Sequence, residues 1–91
     1  MDQKHARGAL SEMIAAAKLI REGWHVFSNV AGTGLIDLVV VNPENGDTKF
    51  FDVKTKSYRR DGSLISRVPS AKQKQIGVEV YMVDRVDMEQ L

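Results

Sequence analysis

Three charged residues stand inside apolar, β-branched segments where a purely structural strand would carry apolar side chains. Asp37 lies between Ile36 and Leu38, while Asp52 and Lys54 alternate with phenylalanine and valine. Two carboxylates on one face of a sheet repel each other, and one lysine does not neutralise both. Mg²⁺ and similar hard cations bind carboxylate oxygens together with water and phosphate oxygens. The three residues therefore indicate a site for metal-assisted hydrolysis of a phosphodiester.

The elements that would position these residues are two strands of a hairpin. The predicted strands, Leu35–Val41 and Thr48–Thr55, flank a dense cluster of turn residues. A two-residue turn would place Asp37 opposite Lys54, whereas a four-residue loop would place it opposite Asp52. In both cases the three charged side chains share one face, because side chains alternate with a period of two.

The spacing of these residues resembles a known nuclease signature. Asp37, a spacer and then Asp52-Val53-Lys54 are similar to the bipartite motif of the PD-(D/E)XK superfamily, which has the restriction-endonuclease-like fold. Gly8 with Ser11-Glu12, and Gly32-Thr33-Gly34 before the first aspartate, resemble archaeal-type Holliday junction resolvases and the small VRR-Nuc and phage nucleases. The resemblance covers residues 8–84.

The resemblance implies a set of catalytic residues. Asp37, Asp52 and the carbonyl of Val53 would bind Mg²⁺, with Mn²⁺ able to replace it, and Lys54 would lie beside the attacking water. Glu12 would complete the metal site. From its position alone, at the edge of the apolar arc of the first helix, Glu12 is more simply a boundary carboxylate that meets a cation. The family likeness favours the metal ligand instead.

The order of predicted elements indicates an α/β fold. It matches the restriction-endonuclease-like αβββαβ core, with a mixed sheet flanked by helices in one minimal domain spanning residues 1–91. Glycine, proline and capping signals bound the other elements. These are a helix over Asp2–Glu22 with Asp2 as N-cap, a strand over Trp24–Val30, a helix over Ser70–Ile76 with Pro69 in its first turn, a strand over Val78–Val83, and a turn or short helix over Val86–Leu91.

Composition narrows the class of protein. The 91 residues are 43% hydrophobic and 27% charged, values typical of a soluble globular domain. The chain has no cysteine, which excludes disulfides and thiolate metal sites. It shows neither a signal-peptide pattern nor an apolar run of membrane-spanning length, so we expect a cytoplasmic protein without a membrane partner.

The distribution of charge points to nucleic acid. Net charge is only +1, but residues 54–74 contain seven cationic residues and one acidic residue. Such a basic segment suits a phosphate backbone, although a solvated loop would look the same. Gln73 is included because related nucleases carry a glutamine on their second helix, a position for which Gln75 is a competing match. The predicted nucleic-acid-binding residues are Arg7, Lys56, Arg59, Arg60, Arg67, Lys72, Gln73 and Lys74.

The resulting expectation is a divalent-metal-dependent DNA endonuclease. It would be structure-selective, similar to a Holliday junction resolvase, and would act as a homodimer. The alternative is a catalytically inactive nucleic-acid-binding module of the same fold. A third interpretation makes the charged strand residues ordinary gatekeepers of an edge strand in a small α/β interaction protein.

Overall fold

A long helix packs against a four-stranded mixed sheet in the computed structural model, which describes residues 3–89. The strands lie in the order β1-β2-β3-β4; the first two pairings are antiparallel, and β3 and β4 are parallel. The predicted α/β class and mixed sheet are confirmed. In chain order the elements are α1 (Gln3–Arg21), β1 (His25–Ser28), β2 (Leu38–Val41), β3 (Thr48–Thr55), α2 (Ala71–Gln75), β4 (Val78–Val83) and α3 (Arg85–Glu89).

The apolar face of α1 forms one side of the core. Ile14, Ala15 and Leu19 are buried there, at the spacing that one face of a helix requires. The helix ends at Arg21, one residue before the predicted end, and the N–H of Gly23 donates to the Ile20 carbonyl. The predicted N-cap, Asp2, lies outside the described residues.

The sheet supplies the other side of the core. Val40 and Phe51 are buried in the same cluster as Val53, and the ring of Phe51 meets Tyr81 edge-on at 5.4 Å between centroids. Because successive residues of a strand point to opposite faces, the burial of Phe51 and Val53 against α1 directs Asp52 to the other face. The alternation of β3 therefore separates the core residues from the charged ones.

The hairpin closes with the four-residue loop. Val41 pairs with Thr48, and the N–H of Asn42 donates to the Asp47 carbonyl at 2.7 Å, so the two-residue turn does not occur. This register, extended by one residue beyond the ladder, sets Asp37 opposite Asp52. The predicted strand Leu35–Val41 is wrong at its start, because β2 begins at Leu38 and the chain turns away from the ladder before it.

Two other elements are shorter than predicted, each at both ends. The strand predicted over Trp24–Val30 is shorter, since the side chain and main chain of Asn29 make turn hydrogen bonds. The helix predicted over Ser70–Ile76 is shorter too. Ser70 is its N-cap, accepting from the Gln73 N–H, so Pro69 precedes the cap instead of occupying the first turn.

The last strand and the last helix follow the predictions more closely. β4 has the predicted bounds, Val78–Val83, and it pairs in parallel with β3 because the connection through α2 is long enough for a crossover. A short helix, α3, forms within the segment predicted as a turn or short helix, of which Gln90 and Leu91 lie outside the described residues. In residues 3–89, no helix combines the length and apolarity needed to cross a membrane.

Candidate active site

A gap in the sheet lies beside the second half of β3. β2 pairs with β3 only as far as Phe51, so Asp52 to Thr55 have β4 on one side and no strand pairing from β2 on the other. The main-chain N–H of Val53 points into this gap and donates to Oδ2 of Asp37 at 2.7 Å. A carboxylate thus takes the place of a ladder hydrogen bond, which brings an acidic side chain to the point where the strands part.

Asp52 and Lys54 form the β3 side of the gap. Asp52 is only 8% exposed, and its Oδ1 lies 3.5 Å from Nζ of Lys54. The lysine side chain is 46% exposed. The pair therefore links a buried carboxylate to a cation that solvent or a ligand can reach. A buried carboxylate needs such a partner to offset its desolvation.

Electrostatics at Asp37 reflect the crowding of two acidic groups. Burial is the main effect that raises the pKa of Asp37, and the neighbouring Asp52 carboxyl raises it further through proton sharing and repulsion. The Val53 N–H and the charge of Lys54 act in the opposite direction without overcoming these effects. A cation bound between the two carboxyl groups would relieve this repulsion.

Glu12 on α1 belongs to the same electrostatic group. Burial raises the pKa of its half-buried carboxyl, and the negative charges of Asp37 and Asp52 raise it further. An adjacent side chain ties the helix to β3, since the hydroxyls of Ser11 and Thr55 are 2.6 Å apart. The structure thus brings Asp37 and Asp52 together beside Lys54, and Glu12 lies near enough for its pKa to respond to both carboxylates.

The donor set fits a hard divalent cation. Carboxylate oxygens are the ligands that Mg²⁺ prefers, and the mutual repulsion of these groups is what a cation would relieve. Within residues 3–89, no three acidic, histidine or cysteine side chains are spaced as a complete metal cage. Asp37 and Asp52 therefore form the assembled part of the site, and Glu12 lies near enough for its pKa to respond to both.

Asn29, which the sequence did not single out, positions the loop that carries Asp37. Its N–H donates to the Asp37 carbonyl at 3.0 Å, and its side-chain amide donates to the carbonyls of Thr33 and Ile36. Gly34 has a φ of +121°, a conformation that favours glycine, so turn geometry accounts for it. An asparagine before a glycine-rich turn is the signal that would have found this residue.

Gln73 supports the same loop from α2. It is buried, its Oε1 accepts from the Ser70 N–H, and its Nε2 donates to the Leu35 carbonyl at 2.9 Å. Both the oxygen and the nitrogen of the side-chain amide are therefore hydrogen-bonded to main-chain atoms. Its predicted contact with nucleic acid stays a prediction, whereas its contact with the Asp37 loop is observed.

The predicted nucleic-acid-binding cations have different surroundings. Arg7 and Arg67 line one cavity together with Lys54. Lys56 lies 3.9 Å from an Asp84 carboxylate oxygen, and Arg59 donates to main chain within its own loop. The remaining three are exposed and do not line that cavity; they are Arg60, Lys72 and Lys74.

Comparison with known proteins identified no relative of this chain. No protein-family model matches the chain, and neither a curated protein nor a solved structure matches it.

Proposed function

We propose that this protein is a divalent-metal-dependent endonuclease that hydrolyses DNA phosphodiester bonds, with the αβββαβ core of PD-(D/E)XK nucleases. The observation that carries the proposal is the meeting of Asp37 and Asp52 at a gap in the sheet, next to a solvent-accessible Lys54. Acidic groups held in a shared, partly buried position are costly to a fold. Metal-assisted hydrolysis gives a reason to maintain them.

The acidic residues would hold the metal. Asp37 and Asp52 supply the carboxylate oxygens, the Val53 carbonyl adds a ligand, and Glu12 completes or supports the shell. A Mg²⁺ or Mn²⁺ ion bound there would polarise the scissile phosphate and lower the pKa of a water molecule. The protein contributes by fixing Asp37 through the Val53 N–H and Asp52 within a strand, so that two ligands are in place beforehand.

Lys54 would act on the attacking water. Its ammonium group lies on the open side of Asp52, where it can donate to water or to a phosphate oxygen and stabilise developing charge. Acid–base catalysis by one residue contributes about 10² to 10⁴ in rate. Enzymatic rate enhancements start at about 10⁶ and are far larger for phosphate esters. Lysine chemistry alone is therefore insufficient, and the proposal includes the metal.

The substrate we propose is DNA, with branched DNA preferred. Each chain offers one such centre, so cutting two strands of a junction needs two centres. A homodimer with twofold symmetry supplies them in a symmetric arrangement. We expect light scattering to show two chains on a four-way junction, and one chain per junction would contradict the homodimer.

The test is cleavage of labelled four-way junction, flap, linear duplex and single-stranded DNA in Mg²⁺, in Mn²⁺ and in chelator. We expect cutting only with metal. Asp52→Asn and Asp37→Asn should each lower the rate at least about a hundredfold, because each removes a carboxylate that would hold the metal, and the metal would stabilise the transition state. Binding in chelator should be retained, since both changes remove negative charge.

Asp47→Asn is the matched control, because it removes the same charge from an exposed position in the same hairpin. Comparable cleavage by Asp52→Asn and wild type would show that the site is assigned wrongly. Salt-sensitive binding without cleavage of any substrate would favour the inactive nucleic-acid-binding module.

A further inference from the structure

A cavity of about 410 Å³ adjoins the gap on the side of Lys54. Four cationic residues from separate parts of the chain line it. Arg7 comes from α1, Lys54 from β3, Arg67 from the loop before α2, and Arg85 from α3. No acidic residue is among those that line it.

The protein itself provides little compensation for this positive charge. Within residues 3–89, the side chains of Arg7 and Arg85 make no ion pair or hydrogen bond, and the Arg67 guanidinium donates only a 3.4 Å bond to the Ser57 hydroxyl. Lys54 alone has an acidic partner, Asp52 at 3.5 Å. Like charges around a common concavity repel one another and raise the local concentration of anions. The cavity is therefore an anion site by its electrostatics.

The shape and donors of the cavity suit a phosphate group. Guanidinium groups offer paired N–H donors that match phosphate oxygens, and the Ser57 hydroxyl, which accepts from Arg67, adds a neutral donor. The volume is many times the roughly 30 Å³ that one water molecule occupies in the liquid. A phosphate with part of its sugar therefore fits.

Gly8 supplies an independent observation. It lies inside α1, where glycine costs about 1 kcal/mol relative to alanine, and it lines the same cavity. A Cβ added at Gly8 would meet no atom of the protein within 4 Å. Packing within the protein therefore does not require glycine at this position. A ligand that lies against the helix backbone would require it.

We propose that this cavity binds the backbone phosphate of a nucleic acid next to the one in the gap, through Arg7, Arg67 and Arg85. Lys54 lines the cavity and also contacts Asp52, so an occupant of the cavity and a phosphate in the gap would be neighbours on one strand. The phosphate in the gap is the scissile one only if the function proposed above is correct. Phosphate binding by the three arginines is independent of that function.

The first test measures binding of labelled single-stranded and duplex oligonucleotides by fluorescence anisotropy in chelator, over a series of KCl concentrations. Arg85→Gln and Arg7→Gln should each lower the slope of log K against log salt by about 0.9 on duplex, or 0.7 on single strands. At 0.1 M salt these losses correspond to roughly eightfold weaker binding of duplex and roughly fivefold weaker binding of single strands. Using chelator separates this test from catalysis, so either proposal can fail alone.

Arg21→Gln is the matched control, because it removes one cation from the far end of the same helix, about 20 Å from Arg7 at 1.5 Å per residue. It should leave the slope unchanged. Equal effects of Arg21→Gln and Arg85→Gln would overturn the proposal. So would saturable, Arg85-dependent binding of inorganic phosphate by a protein that binds no oligonucleotide, since the cavity would then serve a free anion.

Gly8→Ala gives a second test whose result does not depend on an arginine. Alanine should raise the melting temperature, because it favours the helix and clashes with nothing in the protein. The same change should weaken oligonucleotide binding at least threefold, because the methyl group enters the space of the phosphate. A more stable protein with unchanged binding would overturn the proposal.

Discussion

Replacing Asp37 by asparagine should make the metal-free protein more stable at pH 8. The change removes one negative charge from beside Asp52 but keeps an oxygen that can accept from the Val53 N–H. The new amide can also donate to the Asp52 carboxyl. Like charges opposite each other on paired strands cost a few tenths to about 1 kcal/mol. For a domain of this size, a gain of about 0.5–1 kcal/mol raises the melting temperature by about 2–8 °C.

The dependence on pH follows from the direction of the pKa shift. The pKa of Asp37 is higher in the folded state than in the unfolded chain, so the folded state holds the proton more tightly. The contribution of Asp37 to the free energy of unfolding therefore begins to fall as pH rises through the unfolded-state pKa, and this loss is complete above the folded-state pKa. At low pH, where Asp37 is protonated in both states, the stabilisation from removing its charge should vanish.

The assay is thermal unfolding followed by circular dichroism, in chelator, from acidic pH to pH 8. Asp47→Asn is the control for loss of one exposed charge in the same hairpin. If Asp37→Asn is less stable than wild type at pH 8, or if its advantage does not grow with pH, the electrostatic account of the gap is wrong.

Adding metal should reverse the order of stability. A cation at ten times its Kd stabilises the wild type by about 1.4 kcal/mol, through the general relation between ligand binding and folding. Asp37→Asn has lost one ligand and should gain less. Equal gains from Mg²⁺ or Mn²⁺ in both proteins would show that Asp37 is not a ligand.

Three further changes test how the fold supports the site. Ser11→Ala should lower the free energy of unfolding in urea by about 1–2 kcal/mol, because it leaves the Thr55 hydroxyl without its partner. The double variant Ser11→Ala with Thr55→Val should be nearly neutral. Equal losses in the single and the double variant would contradict this. Gln73→Ala should cost about 1–2 kcal/mol by the same measurement, because it removes the hydrogen bond to the Leu35 carbonyl and part of the α2 cap. It should also lower the cleavage rate at saturating DNA. An unchanged rate would show that α2 does not position the Asp37 loop for cleavage. Leu38→Ala should cost about 2–5 kcal/mol by urea unfolding, as the residue is buried where β2 begins, and a loss below 1 kcal/mol would contradict its place in the core.

Local sequence patterns determined most of the elements of this fold. The period of two in β3 was enough to place Asp52 and Lys54 on the face opposite Phe51 and Val53, because alternation is a property of the extended backbone. The bounds of β4 could be read in the same way. These predictions succeeded because strand alternation depends on neighbours in the chain.

Tertiary contacts decided where the hairpin opens and which residues support it. Both an even two-residue turn and a four-residue loop were compatible with the sequence, and the ladder from Val41 to Leu38 selected the second. Asp37 leaves the strand because its carboxylate takes the Val53 N–H, a contact between distant residues. Gln73 was recognised as notable, but its contact with Leu35 depends on how α2 packs.

The arginine cavity is the clearest case of a feature that only the folded chain contains. Arg85 lies in an acidic stretch of sequence and Arg7 lies on α1, both outside the basic segment of residues 54–74. Folding places α1, β3 and α3 side by side, which brings their cations around one concavity. Sequence spacing determines the faces of single elements, whereas a site shared by several elements exists only once their packing is known.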